Sequence, residues 1–268
     1  MSQLLRSLFA VVSTVWAVLS TLGCASTVLP KPEYRLLAGG AFPLADWEAL
    51  LQRHVSEEGR VAYAAIDRRD VETLYARIAG SSPANRPEQY PSDSARKAYY
   101  LNTYNVLVWK GVLDHLTDTF SVGQSKAQFF YLTKYMIGGE SLSLYTLEND
   151  IVRAQFKDPR VHMALNCASV GCPRLSRTAY VPERIEEQLE QDARRFVAEP
   201  RNVQYLPDTG RVRLSAIFDW YQADFGGSHA GVLSWINRYR DAAQQIPLSA
   251  QVDVVPYDWS LNRQPASR

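Results

Sequence analysis

One run of the chain concentrates reactive side chains: Pro159-Arg160-Val161-His162-Met163-Ala164-Leu165-Asn166-Cys167-Ala168-Ser169-Val170-Gly171-Cys172-Pro173 holds an imidazole, two thiols, an amide and a hydroxyl among small residues. As a catalytic set, Cys167 would be the attacking thiolate, His162 its base, and Asn166 or Ser169 a donor to an oxyanion. The thiol pKa must then be lowered, which a charged imidazole or a helix N-terminus does. In a strand, His162 and Cys167 stand an odd number of positions apart and point to opposite faces, so contact between them requires a bend near Asn166. The same cysteines can instead form a Cys167–Cys172 disulfide closing a short loop around Gly171, with His162 hydrogen-bonded in the core. For an exported chain this disulfide is the simpler expectation. A structural metal centre would need a fourth ligand beside His162, Cys167 and Cys172. His54, His115 and His229 have no paired spacing to supply one, so no metal is expected.

Two further groups of residues are candidates by position. Asn102, Asn105 and Trp109 recur at helical spacing and share a face, with Leu101, Tyr104 and Val108 forming an apolar stripe beside them. Buried amides need partners. The pair Asn102 and Asn105 therefore either lines a substrate site, together with Ser169, or braces the backbone of a buried loop. Glu148 and Arg153 fall on one predicted helix and Asp219, Trp220 and Asp224 on another. Paired carboxylates can do acid–base work, but this spacing is equally that of ordinary helix surface charge. No Gly-rich phosphate loop, dinucleotide fingerprint or paired metal histidine occurs, so no cofactor is expected.

The elements that must position these groups are mostly helices. Periodicity predicts them at 44–54, 70–78, 94–116, 144–155, 182–198, 215–224 and 230–243. Strands are predicted at 61–66, on either side of Gly138-Gly139, on either side of Pro207-Asp208-Thr209-Gly210, and at 252–255. Turn chemistry makes two of these pairs hairpins. Hairpins set among helices predict a helix-rich α+β single domain with a small antiparallel sheet, not a doubly wound parallel sheet.

The His-x-Ala-Leu-Asn-Cys-x-Ser-x-x-Cys-Pro run (162–173), the Tyr100-Leu101-Asn102-Thr103-Tyr104-Asn105 helix, the Gly138-Gly139 hairpin followed by Ser143-Leu144-x-x-Leu147-Glu148, and the late Leu214-Ser215-x-x-Phe218-x-Trp220-Tyr221-x-x-Asp224-Phe225 together resemble the bacterial and plant family catalogued as domain of unknown function 547. The resemblance covers about residues 95–240. It implies kinship and no particular reaction. Some proteins of that family look to be fused to glutaredoxin-like modules, which brings thiol chemistry into view.

The N-terminus sets the compartment. A short basic start and an apolar run from Leu8 to Leu22 have a signal-peptide profile, too short to span a bilayer comfortably. The sequence Leu19-Ser20-Thr21-Leu22-Gly23-Cys24-Ala25 resembles a bacterial lipobox, although Thr21 stands where that pattern usually has Leu. The expected organisation is a signal peptide at 1–23, a tether at 24–40 lipidated on Cys24, and one domain at 41–268. Ala25 after the Cys resembles the sorting signal for the periplasmic leaflet of an outer membrane. Lys plus Arg total 29 against 28 for Asp plus Glu, interspersed, so no basic stripe marks a nucleic-acid partner. The expected partners are the membrane, through the lipid, and a peptide, thiol or protein. Two functions follow: a thiol-dependent enzyme resembling papain-like and transglutaminase-like enzymes in its candidate parts, or a non-enzymatic envelope lipoprotein with a structural disulfide that binds a partner or small ligand.

Overall fold

The computed structural model describes residues 25–37 and 40–265; the expected signal peptide and Cys24 lie outside them. Helix α1 (Leu44–His54) and helix α2 (Arg68–Gly80) lead to α3 (Asp93–His115). The last is the central element. Its N-terminus is closed by Ser92, whose hydroxyl accepts from the Ala95 amide at 3.1 Å, replacing a bond the helix cannot make for itself. Nearly every residue from Ala95 to Leu113 is buried, which is why its apolar periodicity is broad: a helix covered on all sides has no solvent stripe. Trp109 packs edge-to-face on Trp47 of α1 at 4.9 Å.

The expected hairpins form. Strands β2 (Thr133–Ile137) and β3 (Glu140–Ser143) pair in register Tyr135↔Leu142 across Gly138-Gly139, and β4 (Val203–Leu206) and β5 (Arg211–Ser215) pair in register Tyr205↔Val212. Gly138 and Gly139 have φ of 58° and 88°, a two-residue turn open to glycine. The helix-rich α+β class holds, with sheet content that goes beyond one antiparallel sheet. Each hairpin gains a parallel strand from a distant part of the chain, β1 (Ser26–Val28) beside β2 and β6 (Gln251–Val255) beside β5, giving two mixed three-stranded sheets. Within the 24–40 segment, Ser26–Val28 is thus part of a sheet. Beyond β1, Lys31 reaches the buried carboxylate of Glu72 at 3.1 Å. The strand expected at 61–66 is also absent: Val61 makes isolated bridges to Val55 and Arg263, and Tyr63–Ala65 turns as a 3-10 helix. Alternation in that segment reflects burial of Val61 and Tyr63 without a neighbouring strand to pair.

After β3, the segments Leu144–Thr146, Leu147–Arg153 and Ala154–Phe156 run on as one helix, α4 (144–156), whose middle part is π-helical. A 3-10 turn, Pro159–Met163, precedes the cysteine loop, and α5 (Ile185–Ala198), α6 (Ala216–Trp220) and α7 (His229–Asn237) complete the chain with the second sheet. The side chains form two cores, one around α1–α4 and one around Phe196, Phe218, Phe225 and Trp235. Val161 and Ala164 belong to the first and Met163 to the second. His162 therefore stands at the seam of the two cores.

Candidate functional site

A cavity of about 380 Å³ opens at this seam. His162, Cys167 and Cys172 line it together with Glu148 and Arg153 of α4, Trp220 and Tyr221 at the end of α6, and Tyr257 and Trp259 beyond β6. The bend required near Asn166 is present. The 3-10 turn carries His162, and Ala168 then adopts a left-handed conformation with φ of 63°, costing on the order of 1–2 kcal/mol for a residue with a Cβ. The surroundings hold it there. The Ala168 amide donates to Asn166 Oδ1 at 2.9 Å and its carbonyl accepts from the Asn262 amide at 2.9 Å.

Cys167 and Cys172 are joined as a disulfide, so the free thiolate of the nucleophilic expectation is not present in this form of the protein. Their settings differ. Cys167 is half-buried at the cavity wall and Cys172 is buried. The Cys167 amide donates to Cys172 Sγ at 2.9 Å, and the Tyr257 hydroxyl lies 3.1 Å from each sulfur. Tyr257 comes this close because position 171 is glycine: a Cβ there would stand 2.8 Å from the tyrosine ring. Burial holds the Tyr257 phenol well above its usual range, so it stays a donor.

The charged part of the cavity is built on Asp224. His162 Nε2 donates to its Oδ2 at 2.7 Å, while Arg153 donates through Nε at 2.7 Å and Nη2 at 3.0 Å. The hydrogen bond from His162, then that from Arg153, holds the Asp224 carboxyl well below the usual range against the opposing effect of its partial burial. The imidazole is stacked on Tyr221 at 4.0 Å. Glu148 accepts from Tyr221 at 2.6 Å and from Tyr104 at 3.1 Å. Both phenols are raised chiefly by burial.

The remaining sequence candidates are placed away from the cavity. Asn102 clamps Tyr180, its amide donating to the carbonyl at 2.8 Å and its Oδ1 accepting from the amide at 3.0 Å. Asn105 does the same for the Ala164 carbonyl and the Asn166 amide, at 3.0 Å each. Both brace backbone. Trp109 lies in the first core. Asn166 donates to the Pro173 carbonyl at 2.8 Å and accepts from Asn262 at 3.1 Å. Ser169 lines a separate cavity of about 200 Å³ beyond the cysteine loop. Neither Asp219 nor Asp224 lines the cavity itself; Asp224 stands behind it and holds His162 and Arg153, which do. Tyr257 and Trp259 carried no sequence signal. They are delivered by the pairing of β6 with β5 and by bonds from the Val170 and Gly171 amides to the Ser260 and Asp258 carbonyls, at 2.8 and 2.9 Å. No group of three or more His, Cys, Asp or Glu able to hold a metal occurs among the described residues.

Fold and site define a helix-rich α+β protein in which two cores meet at an aromatic-walled cavity holding a disulfide and a histidine–aspartate–arginine cluster. A family model described as "Protein of unknown function, DUF547" matches residues 88–197, and this segment is similar to that family. No curated protein and no solved structure matches the chain. The matched segment supplies Glu148, Arg153, His162 and the disulfide. Tyr221, Asp224, Tyr257 and Trp259, which complete the cavity and its charged cluster, come from beyond it.

Proposed function

We propose that the cavity is a thiol–disulfide exchange site in an exported protein held by an acylated Cys24 to the periplasmic side of the cell envelope, at the outer membrane. The observation that supports exchange is the unequal setting of the two sulfurs. A thiolate entering the cavity attacks the more accessible Cys167 Sγ, the S–S bond breaks, and its electron pair leaves on Cys172 Sγ. There the Cys167 amide at 2.9 Å and the Tyr257 hydroxyl at 3.1 Å donate to the departing thiolate. Hydrogen bonds to the charged form are what make a thiol a good leaving group. A second substrate thiolate then attacks the substrate sulfur of the mixed disulfide and expels Cys167. The substrate leaves as a disulfide, and the protein gains two electrons and the two protons the substrate thiols gave up. A substrate disulfide meeting the reduced protein reverses the sequence. His162, with Asp224 to stabilise its imidazolium, is the group assigned to take the proton of the incoming thiol.

Attack on a peptide or amide is less well served. It needs reduced Cys167 and donors to an oxyanion, and Asn166 and Ser169 do not face the cavity. A second reading rests on the bracing of the loop by Asn105, Asn166 and Asn262: the disulfide is a structural lock and the cavity binds a partner or small ligand without exchange.

Equilibrating the native protein in thiol/disulfide buffers and alkylating it separates the two. Exchange predicts reduction without loss of tertiary structure, trapping of a mixed disulfide at Cys167 in the Cys172→Ser protein, and slower reduction in Tyr257→Phe. A disulfide that opens only when the protein unfolds would sink the exchange reading and leave the lock. For the anchor, Cys24→Ser should release the protein from membranes, since no described helix is long and apolar enough to cross one. Retention after a carbonate wash would overturn it.

A further inference from the structure

The cavity also carries a charge and shape that thiol exchange does not require. Arg153 makes two hydrogen bonds to Asp224 and one to Asn149, with its guanidinium 4.7 Å over the Tyr221 ring. Glu148 forms no such ion pair among the described residues. Its oxygens accept from the phenols of Tyr104 and Tyr221, and Arg153, whose charge Glu148 feels, directs its hydrogen bonds to Asp224 and Asn149 instead. A carboxylate offers about four acceptor sites, so two hydroxyls leave room for further donors on a residue that lines the cavity. Two carboxylates, Glu148 and Asp224, stand here against the one guanidinium of Arg153.

Aromatic faces surround these charges. Trp220 stacks beside Trp259 at 5.7 Å, and Tyr131 on Tyr145 at 4.7 Å, both pairs lining the cavity. Trp220, Tyr131 and Tyr145 are 48%, 53% and 42% exposed, well above what packing alone would leave. The chain itself shows what such a face receives: the Lys126 ammonium sits 3.7 Å from the Trp259 ring centroid. An organic cation is drawn to an aromatic face by the ring quadrupole, and more strongly where a carboxylate stands behind it.

We infer that the cavity binds an organic cation, a quaternary or alkyl-substituted ammonium group seated against the exposed ring of Trp220 with Glu148 as its counter-charge, the face of Trp259 being taken by Lys126. This rests on the cavity being the working site, and not on its disulfide exchanging.

The test compares choline with its neutral isostere 3,3-dimethyl-1-butanol, titrated against the purified chain and followed by tryptophan fluorescence and calorimetry. Choline should bind and the isostere should bind at least about tenfold more weakly. Glu148→Gln should bring the two within about twofold. Trp220→Ala, at an exposed position, should weaken choline several-fold with the melting temperature unchanged, which keeps the test valid if the Glu148 variant folds poorly. Equal binding of the two probes to wild type, no binding of either up to about 100 mM, or choline binding indifferent to Trp220→Ala would overturn the inference. Choline carries no thiol. Failed exchange with retained choline selectivity removes the exchange reading alone, and the converse removes this one alone.

Discussion

His162 donates through Nε2 to Asp224 at 2.7 Å across 62 residues of sequence, and the same carboxylate takes two hydrogen bonds from Arg153. One acid thus fixes an imidazole from the 3-10 turn and a guanidinium from the π-helical part of α4, tying the two cores at the cavity.

Asp224→Asn should therefore destabilise the protein by about 1–2 kcal/mol at neutral pH, allowing for solvent screening of a partly exposed carboxylate. The pH dependence has a definite sign. A carboxyl whose folded pKa is depressed contributes stability that is present above the unfolded value and lost as pH falls through the acid range. The variant should lack that part of the acid limb. Urea midpoints measured at neutral pH and in acid check it, and an unchanged gap between the two proteins at both would remove Asp224 as the charged anchor.

Asn102→Ala and Asn105→Ala should each cost about 1–3 kcal/mol, because each leaves a buried backbone N–H and C=O without partners. Glu187→Ala, which loses an exposed pair with Arg184 and an exposed hydrogen bond from Gln191, should be nearly silent. Melting curves of the three variants decide this. Asparagine variants that melt with wild type would show that water replaces the lost bonds.

Asp192 predicts a slope of the opposite sign. It is buried beneath the Tyr180 hydroxyl, which donates at 2.7 Å, and burial pushes its carboxyl up to about 6 against the pull of Tyr180 and Arg195. Between about pH 4 and this value the folded state holds a proton the unfolded chain has released, so stability falls as pH rises through that window and changes no further above it. Asp192→Asn keeps an acceptor for Tyr180 and should abolish the slope, gaining up to about 3 kcal/mol above the folded value. Denaturant titrations across the window check it; a variant with the wild-type slope would assign the slope to another group.

Much of the architecture was legible in the residues because its causes are local. Turn glycines mark the hairpin at 138–139, and apolar spacing marks α1, α3 and α5. The density of chemistry at 162–172 and the pairing of Cys167 with Cys172 were legible too, since a short loop brings its own ends together. What no spacing could disclose is which distant residues share the cavity. Glu148, Arg153 and Asp224 could be read as acid–base groups or as surface charge, and Tyr257 and Trp259 carried no signal, because their positions follow from the parallel pairing of β6 with β5 and from the seam between two cores. Asn102 and Asn105 read as either site or brace for the same reason. Helical spacing put both amides on one face, but only the packed structure decided that this face meets the backbone at 164–166 and 180 instead of the cavity.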